Sequence, residues 1–167
     1  MKSHPLALAS LCLASTLLPA PNSRAADGFK WPEGADAAVC LTYDDSLPSQ
    51  LDVAYPQLEA AGLKATFFLQ GNGGTMVDRL DDWRKVAESG HELGSHSLFH
   101  PCRKSPPGRD WVSDIRDLDD YSLGRVKSEL EITNTLLHAI DGKVTRTFAY
   151  PCGDTTVEHG SQSFTKV

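Results

Sequence analysis

Positive charge is scarce in this chain: 16 lysines and arginines stand against 22 aspartates and glutamates in 167 residues. The basic residues form no stripe, so the charge pattern gives no support to nucleic-acid binding or to an anionic partner. Long apolar runs are scarcer still. The longest, Leu6 to Leu18, is too short to span a bilayer comfortably; it follows Lys2 and His4 and leads to the small residues around Ser23-Arg24-Ala25. That is the pattern of a secretory signal peptide cut after Ala25 or Ala26, after which no membrane span remains. Cysteines number only four, and Cys12 leaves with the peptide. Cys40, Cys102 and Cys152 then sit in an oxidising compartment, secreted or periplasmic, that permits a disulfide. Internal repeats and low-complexity tracts are absent, and no feature points to a protein partner. The organisation expected is residues 1–25 as signal peptide, 26–36 as a lead segment, and 37–167 as one domain long enough for a real core.

Within that domain the apolar segments are short and alternate in type. Ala37 to Tyr43 lacks helical periodicity and reads as a first strand, buried on both faces. Pro56 suits the first turn of a helix that Gly62 can end. Ala65 to Leu69 is a second strand of β-branched and aromatic residues. Leu80, Trp83 and Ala87 mark the inner face of a helix that Gly90 ends. His91 to Ser95 is a third strand, and Pro101 to Asp117, rich in Pro, Gly and charge, reads as a surface loop. Asp119 or Asp120 can cap a long helix with inner positions Leu123, Val126, Leu130, Leu137 and Ile140. After Asp141-Gly142 comes a fourth strand, Thr145 to Tyr150. Alternation of strand and helix predicts a parallel α/β fold, whose sites assemble at the carboxyl ends of the strands.

Two of those ends carry chemistry. The first strand finishes in Asp44-Asp45, neighbouring carboxylates that repel and are costly to desolvate unless solvent, a cation or a shared proton holds them. Taken alone, such a pair more often marks a solvated turn. The third strand leads into His96-Ser97-Leu98-Phe99-His100, two imidazoles four apart; on one helical turn they would share a face, a spacing suited to gripping one cation. One carboxylate with two imidazoles makes a three-ligand zinc site with an open position, which leaves the second carboxylate free to act as a base.

At these residues the chain resembles the polysaccharide deacetylase family, carbohydrate esterase family 4, over roughly Ala37 to Asp154. Tyr43-Asp44-Asp45-Ser46 resembles that family's TFDDG motif, whose first aspartate is the base and whose second is a metal ligand. His96 to His100 resembles its H(S/T)xxH motif. Phe148 to Gly153 resembles the RxPY motif, where the backbone N–H after the proline helps to bind an oxyanion. The resemblance implies the N-terminal part of an irregular (β/α) barrel and a secreted, metal-dependent hydrolase that removes acetyl groups from an acetylated polysaccharide. It assigns Asp44 as base, Asp45, His96 and His100 as ligands of a divalent cation, expected to be Zn2+, and the Cys152 N–H as oxyanion donor. Tyr150 becomes a candidate substrate contact, and Trp111 on the long loop a second, by stacking on a sugar.

The departures are equally specific. The motif arginine is replaced by Ala149 and its aromatic by Cys152; Arg146 lies three residues too early to substitute. Ser46 stands where glycine is usual. The family's later motifs, including a histidine acid, have no counterpart here, so a C-terminally incomplete domain of weak activity is expected, with a non-catalytic glycan- or metal-binding relative as the alternative. Cys102 and Cys152 each lie two residues beyond a site residue, His100 and Tyr150, on proline-containing loops that the site brings together. A disulfide between them is expected; buried free thiols, or a cysteine-ligated metal, are the other readings.

Overall fold

The computed structural model describes residues 30–166, so the expected signal peptide lies outside the described residues. The chain divides after Ala38 into two units, whose described residues are 30–38 and 39–166. In the first, Pro32–Gly34 makes a single 3-10 turn.

The second unit is a mixed α/β fold on a parallel sheet. Strands β1 (Thr42–Asp44), β2 (Thr66–Leu69) and β3 (Glu92–Ser95) lie side by side in that order. Asp44 pairs with Phe68 and Leu69 with Ser95, so all three strands end at one rim. Helices α1 (Tyr55–Ala61), α3 (Leu80–Glu88) and α4 (Leu123–Asp141) are joined by a short α2 (Gly74–Asp78). Alternate strand residues Phe67, Leu69 and Leu93 meet Trp83, Val86 and Leu137 in one core, with Phe67, Trp83 and Leu93 fully enclosed. Gly94 lets β3 lie against the Phe68 ring: a Cβ there would stand 2.5 Å from Phe68 Cδ1. A second cluster joins Leu118, Tyr121 and Val126 to Val157 and Phe164; Val157 belongs to, and Phe164 directly follows, an antiparallel pair, β4 (Thr156–Val157) and β5 (Gln162–Ser163).

Several expectations hold. Gly62 and Gly142 adopt left-handed φ of 65° and 71° at the ends of α1 and α4, the conformation in which a helix terminates at least steric cost without a Cβ. The third strand forms as Glu92–Ser95, within one residue of its expected bounds, and the adjoining His91 is fully buried and accepts the Ala65 N–H on Nδ1 at 3.1 Å.

Others are corrected. The first strand is shorter than Ala37 to Tyr43 and is not buried: Thr42 and Asp44 are exposed and Val39 is 85% exposed. The cause is position, since β1 pairs only with β2 among the described residues. A π-helical turn, Gln50–Ala54, runs into α1 ahead of Pro56. The cap of α4 is Ser122, whose hydroxyl accepts the Arg125 N–H, while Asp119 is buried and bound to Arg103 instead. The expected fourth strand reduces to a parallel bridge between Ser95 and Phe148, held by Ser95 N–H to the Thr147 carbonyl and Ala149 N–H to the Ser95 carbonyl. Arg146, in that segment, is taken up by Asp141 and the Leu93 carbonyl.

The long loop is pinned rather than free. Cys102 bridges to Asp117, and Asp119 accepts from Arg103 Nε at 2.7 Å and from the Ser105 N–H at 2.9 Å. Burial pushes the Asp119 carboxyl up, but hydrogen bonds from Ser105 and Arg103 more than reverse it and hold it at about 2. A folded-state value below the unfolded one stabilises the fold above the ordinary 3.8 and loses that contribution as pH falls through about 2. Asp119→Asn is therefore expected to cost roughly 2 kcal/mol at neutral pH, with the difference from the parent shrinking toward pH 2. Urea melts of both proteins across that range check it; a pH-independent gap would mean that packing, not charge, is lost.

Candidate functional site

The residues next after the three strand ends share the sheet's carboxyl rim, and each turns sharply there. Asp45 and Ser46 follow β1 with φ of 79° and 56°. Ser46 is buried; its hydroxyl accepts the Gln70 N–H at 2.8 Å and its carbonyl accepts the Thr75 hydroxyl at 2.6 Å. Those bonds tie the β1 rim to the loop after β2. Positive φ at a serine explains why a glycine would be at ease here. The Asp44 carbonyl is held by the Gln50 amide, whereas its carboxylate is exposed and makes no hydrogen bond among the described residues.

After β3, His96 to His100 forms no helix, contrary to the expectation that a helical turn aligns the two rings. Ser97 and His100 take left-handed φ of 62° and 51°, and the Ser97 hydroxyl accepts the His100 N–H at 3.0 Å. This turn sets the imidazoles 4.7 Å apart, edge to face. Of eight non-glycine residues with positive φ among the described residues, four (Asp45, Ser46, Ser97 and His100) belong to these rim loops and a fifth, Cys152, to the Pro151–Gly153 turn. Such conformations cost on the order of 1 kcal/mol or more each and persist where surrounding bonds over-determine them.

The loops bring together Asp45, His96 and His100. Asp45 Oδ1 lies 3.4 Å from His96 Nε2 and 3.2 Å from His100 Nε2, and the three ligand atoms all lie within 4.8 Å of one another. His96 Nδ1 lies 2.9 Å from the Ala149 carbonyl. A carbonyl can only accept, so that contact puts the proton on Nδ1 and aims the Nε2 lone pair at Asp45. Ala149 thus lacks the motif arginine but fixes a histidine through its backbone. Burial and the His96 ring hold His100 below its ordinary value against the pull of Asp45, which favours the neutral form that a ligand must have. The donor set, one carboxylate oxygen and two imidazole nitrogens at chelating separation, fits a divalent cation.

The third loop supplies the turn Pro151–Gly153, with Cys152 at φ 57°. Arg109 binds the Asp154 carboxylate and the Cys152 carbonyl from the long loop. Cys102 and Cys152 form a disulfide with Cα atoms 5.8 Å apart, linking the His100 loop to this turn; Cys40 is free and exposed. Tyr150 packs edge-on against Phe148 and beside Phe164, lining with Ser95 and Arg146 a cavity of ≈ 190 Å³ whose lining does not include Asp45, His96 or His100. Trp111 is 64% exposed on the long loop.

A separate open cavity of ≈ 430 Å³ borders Asp45 and Ser46 and is lined also by Gln70, Asn72, Arg79 and Arg116. None of these four was read from the sequence. Gln70 and Asn72 were findable, because they follow the second strand at the same rim; Arg116 comes from the long loop, whose path no local pattern gives.

The model of the polysaccharide deacetylase family matches residues 32–163. The chain belongs to the polysaccharide deacetylase family. Chitin deacetylase from Colletotrichum lindemuthianum is 32% identical over 89 residues, covering 49% of this chain and 34% of that protein. The Xyl-CE4 domain of a multidomain xylanase, from the hindgut metagenome of Trinervitermes trinervoides, superposes with a TM-score of 0.56 at 26% identity, over 72% of this chain and 51% of that one. A CE4 family pseudoenzyme from Bacillus anthracis shares the fold, with a TM-score of 0.54 at 24% identity over 72% and 37% of the two chains. This deacetylase-family chain therefore spans about half the length of the Xyl-CE4 chain and about a third of the chitin deacetylase.

Proposed function

We propose that this chain is a metal-dependent carbohydrate deacetylase, exported from the cytoplasm and acting on N- or O-acetyl groups of a polysaccharide. The observation that carries the reading is the convergence of Asp45, His96 and His100 beside a second, unengaged carboxylate, Asp44. A divalent cation held by those three residues, Zn2+ being the expected one, supplies Lewis-acid polarisation of an acyl carbonyl and acidifies water to a pKa of about 7.

The chain's own groups do the rest. Asp44, exposed at the strand end, takes the proton from the attacking water. The Cys152 N–H, presented by a left-handed turn locked by the disulfide, donates to the developing oxyanion, a contribution of roughly 3 kcal/mol when well aligned. His96 is oriented through the Ala149 carbonyl, and burial favours the neutral form of His100. Trp111, exposed on the long loop, offers its ring for stacking on a sugar. No described residue is assigned the role of acid to the leaving group.

The test is acetate release from acetylated chitin, xylan and peptidoglycan fragments, before and after chelation and with Zn2+ restored. Release that follows the cation on at least one glycan is the expected result. Release that survives complete removal of the cation would end the metal-dependent reading. A second reading, a glycan- or metal-binding relative without turnover, is favoured by one feature: with Ala149 in place of the motif arginine and Arg146 committed to Asp141, nothing described holds the Asp44 carboxylate. Glycan binding with a loaded cation and no acetate from any substrate would select it.

A further inference from the structure

His100 faces two different ligand sets with its two ring nitrogens. Nε2 points to Asp45 at 3.2 Å. Nδ1 has no hydrogen bond to another residue's carboxylate or carbonyl of the kind that His96 has, a bond to the His100 backbone aside; the sulfur of Cys102 lies opposite it at 3.7 Å. Cys152 completes the second set, and the three donor atoms lie within 4.8 Å of one another. A disulfide sulfur is a poor hydrogen-bond acceptor, so the oxidised pair leaves Nδ1 weakly held.

We propose that, once the disulfide is reduced, Cys102, Cys152 and His100 Nδ1 form a second, thiolate-rich site for a soft divalent cation, one that takes His100 out of the Asp45–His96 ligand set. The spacing suits it. A tetrahedral ion with metal–sulfur bonds near 2.3 Å and metal–nitrogen bonds near 2.0 Å sets sulfur and nitrogen about 3.5 Å apart, and Cys102 Sγ already stands 3.7 Å from Nδ1. Two released sulfurs relax to a non-bonded separation of about 3.8 Å, which is also what two thiolates on one tetrahedral ion require. Cys152 is partly exposed, which gives a reductant a path to the bond.

The chemistry balances with a phosphine as reductant. The S–S bond breaks, the phosphine is oxidised to its oxide with oxygen from water, and each sulfur gains a proton. Cation binding returns those two protons to solvent. A neutral imidazole has one lone pair. With Nδ1 committed to the cation its proton must sit on Nε2, so His100 leaves the Asp45–His96 set. This exclusion rests on the metal reading above; the thiolate site itself does not.

Cd2+ titration of the full chain, oxidised and phosphine-reduced, read by the ultraviolet sulfur-to-cadmium charge-transfer band, tests the proposal. The reduced protein is expected to take up one equivalent with the band, and the oxidised protein to show no band, whatever Cd2+ it binds at Asp45, His96 and His100. Asp45→Ala should keep the band; Cys152→Ser should lose it; His100→Ala should weaken binding by about 10-fold or more. A reduced protein without the band, or one whose affinity is unchanged by His100→Ala, would overturn the site. Should reduction unfold the chain, recovery of native circular dichroism on adding Cd2+ supports it and failure to recover overturns it. Failure of the Asp45 reading shows separately, as undiminished Zn2+ binding to oxidised Asp45→Ala.

Discussion

Asp44→Asn is expected to lower acetate release by about 10² to 10⁴-fold while leaving cation content unchanged, and Asp45→Asn to remove both. The two aspartates are neighbours in sequence yet are placed for different work. Asp45, turned by a φ of 79°, points its Oδ1 at both imidazoles, whereas the Asp44 carboxylate is exposed and unbonded among the described residues. An amide at position 44 keeps shape but cannot take a proton from water, and because no protein contact is lost the fold should keep its stability within about 0.5 kcal/mol. An amide at position 45 removes the anionic donor from a set of three, and the two neutral imidazoles alone are a poor site. Metal analysis on the purified variants, beside rates at saturating Zn2+, separates the roles. If Asp44→Asn lost the cation as completely as Asp45→Asn, the division between base and ligand would be wrong; unchanged turnover by Asp44→Asn would remove it from the chemistry.

Legibility of this fold depended on whether the deciding contact was local. Trp83 and Phe67 read as core, and they are fully buried, because amphipathic spacing and β-rich composition are written within a few residues. The strand-end carboxylates and imidazoles were legible for the same reason. Burial of β1 was misread because apolar content says nothing about how many neighbours a strand has; only β2 borders it. On α4 the apolar pattern missed Glu129 and Thr133, which are buried because Thr133 bonds back to the Glu129 carbonyl at 2.8 Å and Glu129 pairs with Arg125. The cap at Ser122 was hidden by two better-looking aspartates upstream, one of which the long loop had claimed. At the site His96 and His100 lie 4.7 Å apart, but hydroxyl bonding and left-handed backbone, rather than the expected helical turn, align the rings.

Removing the disulfide, by Cys102→Ala with Cys152→Ala, is expected to lower stability by about 4 kcal/mol, close to a thousandfold in the folding equilibrium. The bond closes a loop of 50 residues, and releasing such a loop returns about that much chain entropy to the unfolded state. The native side of the balance should change little. Arg103 N–H and the Arg109 guanidinium both reach Asp154 across the same gap, and Cys102 keeps its backbone bonds to Arg116 and Leu118, so the two loops stay docked without the covalent link. Most of the loss therefore originates in the denatured ensemble, which expands when the link is gone. Urea melts of the oxidised parent and the double variant should show a lower midpoint together with a steeper slope, since the slope follows the surface exposed on unfolding. Alanine, not serine, is the right replacement at position 102, because Cys102 is 1% exposed and a hydroxyl there would lack a sure partner. A loss below about 1 kcal/mol with an unchanged slope would mean that the unfolded chain is already compact around these loops. A variant that retains its stability but loses cation affinity would instead place the value of the disulfide in holding His100 toward Asp45.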